Sequence, residues 1–170
     1  LELLCKKHKI KFFLRKKYSD SKSSVSLATI FTIKKLNLDK KFKTVVQLMP
    51  SCPLRNEIKI INNLKKFKKN KSNFSISCFK ISWLHFFWAL EKKSNRKMNF
   101  YFKKKNLNNK KKIYFPTGAI WIAEIKKLLK NNSFYHQSTD FFELNWINSI
   151  DIDIKEDFNN AKILSKINKL

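Results

Sequence analysis

Thr44-Val45-Val46-Gln47-Leu48-Met49-Pro50-Ser51-Cys52-Pro53 reads as an apolar strand halted by two prolines. Directly after it, Ile58, Ile61, Leu64 and Phe67 recur at helical spacing. Strand, short loop and helix form the unit of an α/β protein, and the alternation continues in both directions. Upstream, Leu1, Leu4 and His8 fit the end of a helix, and Lys11-Phe12-Phe13-Leu14 fits a strand. Tyr18 to Ser24 is a polar loop; Val25, Ala28, Phe31 and Leu36 mark a helix. Downstream, Phe74-Ser75-Ile76-Ser77-Cys78-Phe79 alternates as a strand. Ala119 to Ala123 predicts a strand running into a helix with Ile125, Leu128 and Leu129 inward, and Phe141 to Leu144 a short strand. The last helix is expected from about Glu156 to Ile167, with Phe158, Ala161 and Leu164 buried. Between Trp83 and Phe102 the chain is aromatic without a clear period, and Lys103 to Lys112 reads as a basic loop. No internal repeat is present. The pattern predicts an α/β sandwich with a largely parallel sheet.

A chain of 170 residues, 43% of them apolar and 14% aromatic, is sized for one domain with a real core and is not a disordered polybasic tail. No run of 18 apolar residues exists, so no membrane helix is expected. Cys5, Cys52 and Cys78 are odd in number, far apart and without zinc spacing. They predict reduced thiols and a cytoplasmic location, and no leader peptide is evident. The net charge of +26 invites a nucleic-acid reading. The basic residues are nearly all lysine, however: only Arg15, Arg55 and Arg96 are arginine among 38. Lys, Asn, Ile and Phe have A/T-rich codons, so a biased genome accounts for this composition on almost any fold. Arginine, the residue suited to bidentate base and phosphate recognition, is what the chain lacks. Nucleic acid is therefore not the expected partner.

Against this background the acids stand out. Four of the 12 carboxylates fall in Asp151-Ile152-Asp153-Ile154-Lys155-Glu156-Asp157. Asp151 and Asp153, at i and i+2 of an extended segment, project to one side and suit a hard cation such as Mg²⁺. A second reading gives Asp153 and Glu156 to a capping box opening the last helix, which leaves Asp151 unexplained. Gly118 is the sole glycine and marks a place where a side chain does not fit: a close approach to a ligand, or a positive-φ turn. Ser51 and Arg55 follow a strand end, where open α/β sheets bind ligands; they also suit a turn cap and a surface charge. Cys52 reads as a small packed residue. His8, His85 and His136 show no ligand spacing, and the aromatic run Trp83 to Trp88 reads as a core or dimer patch rather than a base-stacking platform.

Several segments carry a family resemblance. Val45-Val46-Gln47-Leu48-Met49-Pro50-Ser51-Cys52-Pro53-Leu54-Arg55 resembles the "LQPTSPLR" or "LMPTCPLR" segment of the acylneuraminate cytidylyltransferases, the CMP-sialic acid synthetases. Phe13-Leu14-Arg15 with Ser19-Asp20 resembles their "FLRPxxLSxD", Pro116 to Ile122 their "NGAIYI", Ser133-Phe134-Tyr135 their "SFY", and Ser149 to Asp157 their "DIDTxxD". The segments occur in family order and cover nearly the whole chain. Thr117 and Trp121 stand where many members carry Asn and Tyr, and Met49 where many carry Gln. His85 and Phe86 replace Asn and Pro of a "WxNPWWAL" segment.

The resemblance implies a three-layer, doubly wound Rossmann-like domain of the nucleotide-diphospho-sugar transferase type over 1–170, with a dimerisation insertion at about 80–112. It implies transfer of CMP from CTP to a nine-carbon 2-keto sugar acid, releasing pyrophosphate, with Mg²⁺ held by Asp151 and Asp153. Ser51, Arg55, Thr117, Gly118, Trp121 and Phe134 fall on or beside segments that would contact substrate or nucleotide. A homodimer is implied as well. Family members begin with a strand and a loop such as "PARGGSKGIPxKN" that holds the triphosphate, and no such segment occurs here. The chain is expected to match the C-terminal three-quarters of the enzyme, to leave the Thr44 strand with an unpaired edge, and to lack activity as a fragment. Two alternatives are a lysine-rich RNA-binding protein and a non-catalytic remnant that only dimerises.

Overall fold

A computed structural model describes residues 1–20, 22–80, 89–94, 97–102 and 112–167. The aromatic run Trp83 to Trp88, with His85 and Phe86, and the basic stretch 103–111 lie outside the described residues. Among those described, no helix is long and apolar enough to cross a membrane. The three cysteines are free thiols.

The first helix, α1 (Glu2–Lys7), exposes its leucines. The next, α2 (Val25–Lys35), opens where the Ser24 hydroxyl accepts the Leu27 N–H at 3.2 Å, and is followed by Asn37 in a left-handed conformation. Strand β1 (Thr44–Gln47) ends before Pro50. Helix α3 (Glu57–Lys69) starts at Asn56, whose side chain accepts the Lys59 N–H at 3.0 Å. There follow β2 (Phe74–Lys80), a hairpin of β3 (Leu90–Ser94) and β4 (Lys97–Phe100), and β5 (Tyr114–Glu124), which runs straight into α4 (Ile125–Asn131). Strand β6 (Thr139–Leu144), a single 3-10 turn at Ile147–Ser149 and α5 (Lys155–Ile167) complete the chain.

The main sheet has the order β1-β5-β2-β6. Strands β2 and β6 pair in parallel, whereas β5 runs antiparallel to both β1 and β2. The sheet is thus mixed rather than largely parallel: β1, β2 and β6 share one direction, and β5 is inserted against them. The reason is the connection. The chain leaves β2 at Lys80 and re-enters the sheet beside that point, since Lys80 pairs with Tyr114. A connection that returns at the same end of the sheet makes an antiparallel pair, whereas a parallel pair requires a crossover. Among the described residues strand β1 lies at a sheet edge.

Central β5 is buried at every position from Thr117 to Ala123, having a core on each face. On one face Ile30 and Ile33 of α2 and Ile125 and Leu128 of α4 pack against Ile76, Trp121, Ala123 and Phe134. On the other, Phe67, Leu64 and Ile60 of α3 pack against Ile120, Ile122, Val46 and Leu144. Each fully enclosed side chain of this size contributes about 1.5–3 kcal/mol over leaving it in water. The result is a three-layer α/β arrangement.

Three local expectations change. Ile58 and Ile61 are 62% and 50% exposed, and the inward face of α3 is Ile60, Asn63, Leu64 and Phe67. A strict three-residue repeat precesses by about 60° per step, so Ile58 ends opposite Phe67. The buried Asn63 carbonyl accepts the Ser75 hydroxyl at 3.0 Å, while its Nδ2 has no hydrogen-bond partner among the described residues. The same precession leaves Phe158 47% exposed while Ala161 is buried. Finally, Lys11 to Leu14 forms no strand, and Phe12 and Leu14 remain exposed.

Candidate functional site

The ends of β1 and β6 and the start of β5 meet at one rim of the sheet, and most of the candidate residues gather there. Beyond β1, the loop from Met49 to Arg55 folds back on itself. Arg55 donates through Nη1 to the carbonyls of Met49 and Cys52, the latter at 2.6 Å, so its guanidinium struts the loop from within. Burial lowers the Arg55 pKa from its ordinary value, and the guanidinium remains a cation held by these two carbonyls. Of the two readings of Arg55, ligand contact and surface charge, the second gives way to an internal brace.

The segment after β6 docks on this loop. The buried Asn148 amide donates to Leu54 O at 2.7 Å, and Ile152 N–H donates to Ser51 O at 2.9 Å. Ile150 and Ile152 are half-buried while Asp151 and Asp153 are exposed, as an extended segment with one apolar and one acidic side requires. Asp151 lies against Cys52, whose buried thiol is pushed up to about 12, first by burial and then by the Asp151 carboxylate. A thiol in that state is protonated and packed, in line with its reading as a filler rather than a nucleophile.

The helix cap is displaced by one residue from the expected box. Asp157, not Glu156, reaches back, and its carboxylate accepts from Asp153 N at 3.1 Å and Ile154 N at 3.0 Å. With α5 starting at Lys155, Asp157 occupies the third helical position and Ile154 the cap. The Asp153 side chain is thereby released from capping and has no hydrogen-bond partner among the described residues. Among those residues no group of three or more His, Cys, Asp or Glu assembles. A pair suffices for Mg²⁺, which commonly takes one or two carboxylates and completes its octahedron with phosphate oxygens and water. The two carboxylates fit that donor set: Asp153 is exposed, and Asp151, exposed as well, shares a hydrogen bond with the Cys52 thiol that leaves lone pairs to spare.

Gly118 is not the positive-φ turn that was one of its two readings. No glycine has positive φ. A Cβ built at Gly118 would lie 2.9 Å from Met49 Cγ and 3.4 Å from Cys52 Sγ, so what approaches closely is the loop after β1. The approach follows from a bulge in β5. Ile76 pairs with Trp121 but Cys78 pairs with Pro116, so the extra residues of β5 swell opposite Ser77. The Ser77 hydroxyl staples the swelling: it meets Thr117 Oγ1 at 2.8 Å and accepts the Ile120 N–H at 2.9 Å. Met49 N–H in turn donates to Gly118 O at 3.3 Å.

Thr117, Trp121 and Phe134 sit elsewhere. The Thr117 hydroxyl is engaged by Ser77, and its carbonyl accepts the Trp121 indole N–H at 2.7 Å. The Trp121 ring packs on Phe134 with centroids 5.3 Å apart, and Phe134 is wholly buried. In the structure all three are packing residues of the bulge and core, with no open surface on Phe134 for a ligand. His136 packs on Phe74 at 5.5 Å and bonds Ser138, in keeping with a structural histidine.

Beside β1 a cavity of about 420 Å³ is lined by Arg15, Tyr18, Asp20, Ser23, Thr29, Thr32, Gln47 and Pro50, with Val45 and Met49 on its floor. Arg15 Nε is buried, with no hydrogen-bond partner among the described residues. The Asp20 carboxylate accepts Lys22 N, Ser23 N and the Ser23 hydroxyl, and these hydrogen bonds lower its pKa. The sequence reading carried Arg15 only as part of a segment and gave Thr29 and Gln47 no role. The available signal was polarity out of place: Gln47 is the one amide in an apolar strand, and Thr29 lies on the inward face of α2.

No family model matches the chain, and no curated protein matches it.

Proposed function

We propose that the chain is a nucleotidyltransferase of the acylneuraminate cytidylyltransferase type, built on a Rossmann-like α/β domain, which joins CTP to a nonulosonic acid. One observation carries the reading. The acidic segment is hydrogen-bonded onto the Ser51 loop, so Asp151 and Asp153 stand at the rim where β1 ends, on the loop whose Met49 and Pro50 line the cavity. The cavity supplies unused cationic donor capacity at Arg15, suited to an anionic or carbonyl-bearing ligand such as a nucleotide.

In the proposed reaction the anomeric hydroxyl of the sugar acid attacks the α-phosphorus of CTP. The new P–O bond forms as the bond to the β-phosphate breaks, pyrophosphate leaves with that electron pair, and the hydroxyl proton passes to solvent. Asp151 and Asp153 would hold Mg²⁺, which when bound neutralises phosphate charge. The chain's own contribution is placement. Arg55 and Asn148 fix the Ser51 loop, and Ile152 ties the acidic segment to it. The exposed Leu90, Met98 and Tyr101 in and beside the β3–β4 hairpin support the homodimer reading.

The test is titration of CTP into the protein with and without Mg²⁺. It is run on the chain alone and on the chain preceded by a cytidylyltransferase phosphate-loop segment. Mg²⁺ should tighten binding, and Asp151→Asn or Asp153→Asn should erase that increment while leaving the Mg²⁺-free affinity in place. CTP binding by neither protein would overturn the reading.

A further inference from the structure

The cavity beside β1 contains a side-chain pair whose donor and acceptor roles can be worked out from one proton. Thr29 Oγ1 lies 2.9 Å from Val25 O and 3.0 Å from Gln47 Oε1. A hydroxyl has a single proton to give. Val25 O, one turn earlier in α2, takes the backbone N–H of Thr29 in the helical ladder. The carbonyl is thus satisfied without the hydroxyl, whereas Gln47 Oε1 has no other donor among the described residues. The proton therefore goes to Gln47, and the amide is held with its oxygen toward Thr29 and its Nε2 away from it. Thr29 is 8% exposed and anchored on α2, so the lock is fixed from the core side. Both Nε2 protons lack a partner among the described residues, and Gln47 lines the cavity.

Among the groups lining the cavity, the Gln47 Nε2 protons and the Arg15 guanidinium can act only as donors. The nearest acid, Asp20, has its carboxylate occupied by Ser23 and Lys22. We infer that Gln47 is a specificity-determining donor to a carbonyl oxygen of the bound ligand, with Thr29 as the residue that positions it. Resting on the nucleotide reading above, the acceptor is the 2-oxo group of a pyrimidine, a group that adenine lacks.

The experiment measures CTP and ATP affinities of wild type, Gln47→Leu, Gln47→Asn and Thr29→Val in one buffer, with thermal melts confirming that each variant folds. The wild type should prefer CTP. Gln47→Leu should weaken CTP about tenfold while leaving ATP unmoved, a selective loss that a purely structural role would not produce. Thr29→Val should show the same selective loss at about three- to fivefold, and Gln47→Asn, one methylene too short to reach Thr29, should resemble it. If the wild type binds neither nucleotide, the nucleotide reading fails. If the wild type binds CTP and Gln47→Leu binds it equally well, this inference is overturned and the nucleotide reading stands. Weak CTP binding by Gln47→Leu with unchanged binding by Thr29→Val would overturn the positioning role of Thr29.

Discussion

Replacing Gly118 by alanine adds one methyl group at the point where β5 touches the loop after β1. The added carbon would lie 2.9 Å from Met49 Cγ, 3.3 Å from Met49 Cβ and 3.4 Å from Cys52 Sγ. The first distance is below any van der Waals contact, so Met49 must move. Its thioether arm is flexible, but its Cβ is fixed to a backbone whose N–H bonds Gly118 itself. Relief therefore has to pass into the loop. Backbone preference adds little, since Gly118 does not have positive φ. Overpacking of this kind costs about 1–3 kcal/mol. Urea denaturation should show that loss as a lowered midpoint at unchanged slope. Made in a Met49→Ala background, where the obstructing Cγ is absent, the same substitution should cost less than half as much, giving a coupling of at least about 0.5 kcal/mol. A Gly118→Ala protein as stable as wild type, or one equally destabilised in both backgrounds, would refute the reasoning.

Further outcomes follow from individual hydrogen bonds and from burial. Asp157→Ala removes the acceptor for two N–H groups at the start of α5 and should cost about 0.5–2 kcal/mol, with faster amide exchange at Asp153 and Ile154; Glu156→Ala should leave both unchanged. Ser77→Ala strips the staple from the β5 bulge, leaves the Ile120 N–H buried without an acceptor and should cost about 1–3 kcal/mol by denaturant melt. Cys52 should resist alkylation at pH 8 while half-buried Cys5 reacts. The folded thiol titrates at about 12, above its ordinary 9, so its contribution to stability is fully present below pH 9 and is lost as pH rises toward 12. Cys78, raised in the same direction by burial, adds to that loss, so Cys52→Ala should flatten only part of the alkaline decline.

Much of the fold was legible because it rests on short-range pattern. The apolar run from Thr44 to Met49 stopped by prolines, and the apolar strand leading from Ala119 into α4, each carry a local physical signature. The direction of β5 was not legible, since it depends on where the connection after Lys80 returns rather than on residues within either strand. Three-residue apolar spacing gave the existence of α3 and α5 but misplaced Ile58 and Phe158, because that spacing drifts around a helix. At the site, the alternation of Asp151 and Asp153 with isoleucines read correctly as an acidic side, and Ser51 stands beside it. The role of Arg55 as a brace, the fit of Gly118 against Met49 and the Thr29–Gln47 pair are contacts between distant segments, which no local pattern encodes.

The central claim is tested most directly by following CMP-sugar and pyrophosphate together from CTP and a panel of 2-keto nonulosonic acids, using the protein preceded by a phosphate-loop segment. The account predicts Mg²⁺-dependent, one-to-one formation of both products with at least one sugar acid, and a fall of at least about 100-fold in Asp151→Asn. No product with any sugar acid, or a rate unchanged by Asp151→Asn, would contradict it.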